Sequence, residues 1–241
     1  MAICLDFIAE TGSTNADLLA RLSLGEDLEE GYWLIADRQN AGRGRQGRKW
    51  LDASGNFMGS TLVKCEAGDP PAHMLSFVAS LAVYSAACAI VEQAGIVHLK
   101  WPNDVLISGA KFSGILLERQ GKFAIIGIGS NLATAPDIEG RHTASLEDAG
   151  VKVTRDQYAK ILSQEFAREL AIWRKNRAAD VLDRWQAAAH RPGARLSVHT
   201  KACSVLSGSF DGLEQDGALR LCLDDGAMRV IHAGDVMLES E

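Results

Sequence analysis

The stretch Gly42-Arg43-Gly44-Arg45-Gln46-Gly47-Arg48-Lys49-Trp50, the arginine loop, alternates positive charge with the most flexible backbone available. Its four cationic side chains lie among three glycines, so guanidinium groups and backbone N–H groups can converge on one point. The natural ligand of such a loop is a phosphate or a carboxylate. Strand patterns at Tyr32 to Asp37 and at Asn56 to Lys64 flank the loop, so we expect two strands to present it.

Two other interpretations of the arginine loop stay open on the motif alone. Its spacing satisfies Gly-x-Gly-x-x-Gly, which is typical of a dinucleotide site when a helix follows directly. Residues 48–55 show no helical period, which argues against that site. The other alternative is a solvated basic loop without a ligand.

Composition and charge narrow the class of partner. The chain has 241 residues, 47% of them hydrophobic and 23% charged, as in an ordinary globular protein with room for one large and one small domain. The net charge is −6, yet five of the 25 basic residues lie between Arg38 and Lys49. This pattern indicates a local anion site on an acidic protein and argues against a surface that coats nucleic acid.

Cysteines, histidines and apolar segments give no sign of a metal, a disulfide framework or a membrane. The five cysteines are scattered without a C-x-x-C pair, and the six histidines lack helical ligand spacing. Met1 to Phe7 lacks a signal-peptide pattern, so we expect a cytoplasmic protein with reduced thiols. Ala72 to Gly95 is almost unbroken in apolar and small residues, but without flanking arginine or lysine it predicts a buried core helix. Gly95 is the expected C′ residue of that helix.

The order of predicted elements is that of an α+β protein. Expected strands are Ile3 to Ile8, Tyr32 to Asp37, Asn56 to Lys64, Ile96 to Lys100 and Phe123 to Ile128, with a hairpin turning at Ser108-Gly109. Expected helices are Ala16 to Leu22, capped by the polar residues at 13–15, the core helix above, one after a capping box at Thr154 and Gln157, and Ala178 to Ala189. Most strands pair with near neighbours, which implies a mixed, largely antiparallel sheet backed by helices.

The last fifty residues have a different sequence pattern from the rest of the chain. Short apolar runs alternate with the turn pairs Ser207-Gly208, Asp211-Gly212, Asp216-Gly217 and Asp225-Gly226, a pattern typical of a small all-β module. We therefore predict a catalytic or binding domain over residues 1–190 and a small β domain over residues 191–241.

Three further motifs are ambiguous when each is taken alone. Lys100-Trp101-Pro102-Asn103-Asp104 is either a ligand-binding turn or a structural one. In residues 111–118, Lys111 begins a strand and Gly114 permits close approach, but an edge-strand lysine that limits aggregation fits equally. Gly127 to Leu132 ends a strand either in a bulge or in a nucleotide contact.

Taken together, these motifs resemble one family, the biotin protein ligases, which activate biotin with ATP and attach it to a lysine of a carrier protein. The resemblance rests, in family order, on Ser13-Thr14-Asn15, residues 39–50, residues 100–104, residues 111–116 and residues 127–131, and it extends to a tail at residues 208–219. Three departures are visible: Gln46 stands where an arginine is common, Phe57-Met58 where Leu-Tyr is usual, and Ser130 in an otherwise apolar site.

The resemblance implies a fold and an activity. The fold is the class II synthetase-like catalytic domain of biotin and lipoate ligases with a C-terminal SH3-like β-barrel. The activity is formation of biotinyl-5′-AMP with release of pyrophosphate, followed by transfer to a lysine of a biotin carboxyl carrier protein. Regulatory members carry an N-terminal helix-turn-helix domain, whereas here the catalytic strand is expected from Ile3, so we expect no specific binding to DNA. Dimerisation is left open.

The resemblance also implies residue roles. Biotin would lie near Ser13, Thr14, Asn15 and Gln39, with Gly114 and Ile115 as backbone and apolar contacts. Arg43, Arg45 and Lys111 would neutralise the biotin carboxylate and the α-phosphate, with Gly44 in the same loop and Mg²⁺ shielding the pyrophosphate. Arg48 and Trp50 would close over the adenylate, Asn103 and Asn131 would hold the nucleotide, and Asp104 would orient or deprotonate the carrier lysine. No residue is predicted as a resident metal ligand.

Two competitors remain at this point. Lipoate protein ligases share the fold and the adenylation logic, but the arginine loop and residues 100–104 resemble the biotin branch better. A biotin-binding regulator without catalysis is disfavoured by the intact Lys111 and arginine loop.

Overall fold

The computed structural model describes residues 2–51, 53–175, 177–199 and 205–238. A main sheet contains seven strands and a small sheet contains five. The strands of the main sheet are β1 (Cys4–Thr11), β2 (Tyr32–Gln39), β3 (Phe57–Lys64), β4 (Val97–Lys100), β5 (Asp104–Ile107), β6 (Ala110–Gln120) and β7 (Phe123–Ser130). The helices are α1 (Thr14–Ser23), α2 (Leu75–Ile90), α3 (Arg155–Arg174) and α4 (Ala178–Ala188). The small sheet is formed by β8 (Arg195–His199), β9 (Val205–Leu213), β10 (Leu219–Leu223), β11 (Met228–Ile231) and β12 (Asp235–Leu238).

The main sheet confirms the predicted α+β class. Its strand order is β1-β2-β3-β7-β6-β5-β4. The β1–β2 pair is parallel and the other five pairs are antiparallel. Most neighbours are also neighbours in sequence, but β3 pairs with β7, from which three other strands and α2 separate it along the chain.

The two faces of the main sheet bury different elements because successive side chains of a strand point to opposite faces. On β7, Ile126 and Ile128 join the large core beneath α2 and α3. Ile125 points to the other face, where it packs with Leu18 of α1. The same face presents Gly127 and Gly129, whose missing side chains leave space above the sheet beside α1.

Helix α2 is the predicted core helix, but it begins and ends at other residues than the predicted Ala72 and Gly95. A 3-10 turn at Ala72–Met74 precedes it, and it stops at Ile90 because Val91 adopts an extended backbone and is buried. The prediction of Gly95 as its C′ residue is therefore wrong; that glycine has φ +77° in the connection to β4. By length and composition Ala72–Ile90 would be long enough to cross a membrane. Ten of the 16 residues of α2 are nevertheless buried inside the protein.

Helix α3 begins at the predicted capping box, in which Thr154 and Gln157 exchange hydrogen bonds. The small sheet follows α4, with strand order β11-β10-β9-β8-β12. It confirms the predicted small β module, while closure into a barrel stays a prediction. Buried residues of both sheets belong to one core, and the domain boundary at residue 190 also stays a prediction.

Two of the four predicted turns in the tail are wrong. Asp216-Gly217 and Asp225-Gly226 lie between strands, but Ser207-Gly208 and Asp211-Gly212 lie inside β9. A Cβ at Gly208 would stand 2.4 Å from the Cys222 carbonyl oxygen, so this glycine permits close strand approach. Gly212 has φ +116° at the register shift between β9 and β10, where glycine serves a bulge. Four cysteines are free, and Cys203 lies outside the described residues.

Candidate active site

A cavity of about 420 Å³ lies on the α1 side of the main sheet, beneath the arginine loop. Its wall combines the start of α1, the arginine loop and the strands β3, β6 and β7. The structure brings all fifteen predicted site residues to this wall: Ser13, Thr14, Asn15, Gln39, Arg43, Gly44, Arg45, Arg48, Trp50, Asn103, Asp104, Lys111, Gly114, Ile115 and Asn131.

One end of the cavity is a buried polar cluster at the start of α1. Ser13 caps the helix by accepting a hydrogen bond from the Ala16 N–H, which fixes the two residues that follow. Asn15 Oδ1 only accepts, so the Ser60 hydroxyl must donate to it at 2.6 Å. The Thr14 hydroxyl then donates to Ser60 Oγ at 2.6 Å, and its backbone N–H donates to Gln39 Oε1 at 2.7 Å. The Thr14 hydroxyl also lies 3.1 Å from Gln39 Oε1, so its single proton faces two acceptors, whereas the Ser60 proton is directed to Asn15.

The other end of the cavity is cationic. The arginine loop closes on itself through a bridge between Arg43 and Lys49 and through the Gly44 N–H to the Arg48 carbonyl at 2.7 Å. Between them lies a single 3-10 turn at Arg45–Gly47, in which Gln46 adopts a left-handed backbone with φ 57°. Among the described residues, the next element after this turn is β3 and not an α-helix, which removes the dinucleotide-fold alternative.

Trp50 closes the arginine loop against the sheet. A Cβ on Gly129 would stand 2.3 Å from the indole, and one on Gly114 would stand 3.3 Å from it. Gly129 must therefore lack a side chain for the indole to keep this position above the sheet, and Gly114 leaves it only tight space. Trp50 Nε1 is buried without a hydrogen-bond partner among the described residues.

Residues 100–104 connect β4 with β5 at the cationic end. Asn103 donates from Nδ2 to the Ile115 carbonyl at 2.6 Å and accepts from Arg45 Nη1 at 2.8 Å. The turn thus fixes one guanidinium of the arginine loop.

Lys111 is not the edge-strand lysine that its sequence context allowed. Strand β6 lies between β5 and β7, and the Lys111 side chain is only 24% exposed. Its ammonium group donates to Asp104 Oδ1 at 2.6 Å, while Lys100 Nζ lies 3.7 Å from Asp104 Oδ2. The Asp104 carboxylate thus lies between the two positive charges of Lys100 and Lys111. It holds Lys111, the catalytic candidate, at the cavity wall.

Comparisons with known proteins place this geometry in a family. The model of the biotin/lipoate A/B protein ligase family matches residues 8–131, and that of the biotin protein ligase C terminal domain matches residues 201–238. The biotin--[acetyl-CoA-carboxylase] ligase of Paracoccus denitrificans is 37% identical, covering 89% of this chain and 92% of the relative. The chain belongs to the biotin protein ligases.

Other relatives agree with this assignment. The biotin--[acetyl-CoA-carboxylase] ligase of Mycobacterium tuberculosis is 38% identical to this ligase, covering 97% of this chain and 88% of the relative. The structure of the Aquifex aeolicus biotin protein ligase in complex with biotin and ATP superimposes with a TM-score of 0.83 at 26% identity, covering 99% of both chains.

The ligase has site residues that sequence reasoning missed. The segment of residues 136–143 contributes Pro136, Ile138, Arg141 and Thr143 to the cavity wall. The segment is held by backbone hydrogen bonds, from the Lys111 N–H to the His142 carbonyl and from the Ala144 N–H to the Lys111 carbonyl. It has no hydrophobic period or glycine pattern, so its sequence carried no signal.

Asn131 and Ser130 show how neighbouring residues divide between cavity and core. Asn131 lines the cavity, and its Oδ1 is a buried acceptor without a partner among the described residues. Ser130 points to the other face, where its hydroxyl bonds to Ser113 and Tyr158, and burial raises the pKa of Tyr158. The expectation that Ser130 interrupts the apolar site is therefore wrong, because it belongs to the core.

Proposed function

We propose that this ligase activates biotin with ATP to form biotinyl-5′-AMP and then transfers biotin to a lysine of a carrier protein of a biotin-dependent carboxylase. The observation that carries the proposal is one cavity with a fixed polar cluster at one end and a cationic loop at the other. The polar end matches a ring with hydrogen-bonding groups, and the cationic end matches a carboxylate beside phosphates. The names of the relatives agree with this pairing of ligands.

In the first step, a biotin carboxylate oxygen attacks the α-phosphorus, the bond to the bridging oxygen breaks, and pyrophosphate leaves. The carboxylate is already ionised at neutral pH, so the step needs no general base. It needs two anions to be held in line without repulsion. Lys111, Arg45 and Arg43 all line the cavity, and we assign them to neutralise the carboxylate and the α-phosphate.

The base of the nucleotide has a matching acceptor. Asn131 directs its Nδ2 to the carbonyls of Lys111 and Ala144, which leaves the buried Oδ1 for a ligand N–H. An exocyclic amino group is a donor of this kind. Asn103 holds Arg45 in the same region. Both observations support the prediction that Asn103 and Asn131 hold the nucleotide at the cationic end of the cavity.

Mg²⁺ would arrive with ATP as part of the substrate. The described residues contain no group of three His, Cys, Asp or Glu side chains that could hold a metal ion. The two carboxylates near the loop, Asp104 and Glu118, already contact cations. With these carboxylates already paired, the ion would be held mainly by phosphate oxygens and water, as Mg²⁺ often is.

In the second step, the ammonium of the carrier lysine gives a proton to Asp104 or to water. The amine nitrogen then attacks the carbonyl of the mixed anhydride, the bond from that carbonyl to the phosphate oxygen breaks, and AMP leaves. Asp104 contacts Lys111 and Lys100, so we assign it to orient Lys111 and the approaching amine. Arg48 and Trp50 cover the cavity and would keep water from the anhydride. A cytoplasmic location and the absence of DNA binding remain predictions, and the oligomeric state stays open.

The test is transfer of labelled biotin to a purified biotin carboxyl carrier domain in the presence of MgATP. We expect label on the carrier, and none on a carrier whose acceptor lysine is replaced by arginine. Lipoate should not replace biotin. Transfer of lipoate in preference to biotin would contradict the proposal, as would the absence of transfer by a folded protein.

A further inference from the structure

Glu118 lies outside the predicted site, yet its carboxylate joins the two ends of the cavity. It stands on β6 on the same face as Gly114 and Leu116, because residues two apart share a face of a strand. Its Oε2 accepts a hydrogen bond from Asn15 Nδ2 at 2.8 Å. Arg43 Nη2 lies 3.2 Å from Oε1 and donates to Oε2 at 3.3 Å.

The contact completes a continuous hydrogen-bonded series across the cavity. The Thr14 hydroxyl donates to Ser60, Ser60 donates to Asn15, and Asn15 donates to Glu118. Arg43 approaches the same carboxylate from the arginine loop. The series therefore runs from the polar cluster of α1 to the cationic loop, with Glu118 as its one charged acceptor.

We infer that Glu118 is a positioning residue that sets Arg43 against the biotin end of the cavity, an inference that rests on the proposed function. The carboxylate engages Nη2 of Arg43, so Nε and Nη1 remain to meet the substrate anion. The Arg43 side chain is 46% exposed and lies in a loop of three glycines. Without the carboxylate, ordering that side chain would cost conformational entropy when the substrate binds.

The geometry also explains why Asn15 needs this partner. Asn15 lies directly above β7, where a Cβ on Gly127 would stand 2.5 Å from its Oδ1. The amide is thus held from three sides, by Ser60, by the glycine and by Glu118. A shift of Arg43 is transmitted through Glu118 to the residue that the family resemblance assigns to biotin.

The first test replaces Glu118 by glutamine, which keeps size and hydrogen bonding but removes the charge. We expect Glu118→Gln to slow biotinyl-adenylate formation in a single turnover by about tenfold, with a smaller change in the dissociation constant of biotin alone. The matched control is Glu26→Gln. It breaks another arginine–glutamate pair, in which Arg21 and Glu26 lie 2.5 Å apart away from the cavity, and should leave the rate unchanged.

A double-mutant cycle separates positioning from a general structural effect. In an Arg43→Ala background, Glu118→Gln should change the rate of adenylate formation by less than about twofold, because the group on which it acts is gone. A tenfold effect in both backgrounds, or a wild-type rate for Glu118→Gln, would overturn the inference.

A readout without catalysis keeps the inference separate from the proposed function. Trypsin should cleave after Arg45 and Arg48 faster in ligand-free Glu118→Gln than in the wild type, because one anchor of the loop is lost. Equal cleavage rates would count against Glu118 even if no activity were found. An inactive wild type with faster cleavage in the variant would instead contradict the proposed function alone.

Discussion

At the scale of single residues, Lys111 carries the chemical assignment. Its ammonium should matter most where negative charge gathers between carboxylate and α-phosphate. Lys111→Ala should slow single-turnover adenylate formation by about a hundredfold or more, corresponding to about 3 kcal/mol of lost transition-state stabilisation. Lys111→Arg should restore only part of the rate, since a planar fork does not reproduce a compact charge held by Asp104.

The control for Lys111 is a lysine with no role in the cavity. Lys152 is 84% exposed and lies 3.8 Å from Glu147, so Lys152→Ala should leave adenylate formation unchanged. Circular dichroism and the urea midpoint verify that each variant is folded. A wild-type rate in folded Lys111→Ala would remove this residue from the mechanism.

His190 makes a separate prediction about stability and pH. Burial, with Lys100 and His98 nearby, lowers the pKa of His190 to about 4, against an ordinary value of about 6.5 in an unfolded chain. Between these values the unfolded chain binds a proton that the folded protein does not. Stability therefore falls as pH falls from about 6.5, by up to roughly 3 kcal/mol below pH 4.

Urea unfolding of the wild type and of His190→Leu at several pH values between about 7 and 4 tests this. The variant should lose less stability than the wild type on acidification. His199→Leu changes an exposed histidine of β8 and should keep the wild-type slope. Parallel curves for the wild type and His190→Leu would contradict the assignment.

At the scale of elements, the docking of Trp50 depends on the bare surface of β7. Gly129→Ala would place a Cβ 2.3 Å from the indole, so the arginine loop should lift from the sheet. Trp50 is only partly buried, whereas the other four tryptophans are almost completely so. Acrylamide quenching should therefore rise in Gly129→Ala, and biotinyl-adenylate should hydrolyse severalfold faster.

The quenching signal is assigned with Trp50→Phe, which should lose the quenchable component. Unchanged quenching and unchanged adenylate lifetime in folded Gly129→Ala would show that the indole does not rest on β7.

At the scale of the whole molecule, the turn between β9 and β10 joins the small sheet to the catalytic region. The Trp101 indole N–H donates to the Gly217 carbonyl at 3.0 Å, and a Cβ on Gly217 would stand 2.6 Å from the Phe77 ring. Gly217→Ala should therefore lower the free energy of unfolding by about 3 kcal/mol, from a left-handed backbone and a clash in the core.

Gly226 is the matched control for this turn. Its φ is +82°, close to the +81° of Gly217, but a Cβ there would meet nothing within 4 Å. Gly226→Ala should thus cost only the backbone contribution, about 1 kcal/mol. Equal decreases in the free energy of unfolding for Gly217→Ala and Gly226→Ala would show that the turn does not pack against the large core. A single transition is expected because both sheets share that core.

Much of the fold and most of the site residues follow from sequence because their signals are local. Alternating strands, the cap at Ser13 and the capping box at Thr154 each act within a few residues. Ordered motifs such as the arginine loop and Lys111 identify a family, and the structure brings them to one cavity.

What sequence did not predict depends on contacts distant in the chain. Glu118 acquires its place only when β6 meets α1 and the arginine loop, and Arg141 reaches the cavity through a segment without periodicity. The sequence predicts turns at Gly208 and Gly212. In the structure, Gly208 permits the close approach of a neighbouring strand and Gly212 serves a bulge. A glycine in sequence does not reveal whether it serves a turn or a close approach.

The most direct test of the central claim is ATP–pyrophosphate exchange measured with and without biotin. A ligase that forms an adenylate reversibly returns labelled pyrophosphate to ATP, and a passive biotin binder does not. We predict exchange that requires biotin, is not supported by lipoate, and is slowed by about a hundredfold or more in Lys111→Ala. Absence of exchange from a folded wild-type protein that binds biotin would contradict the account.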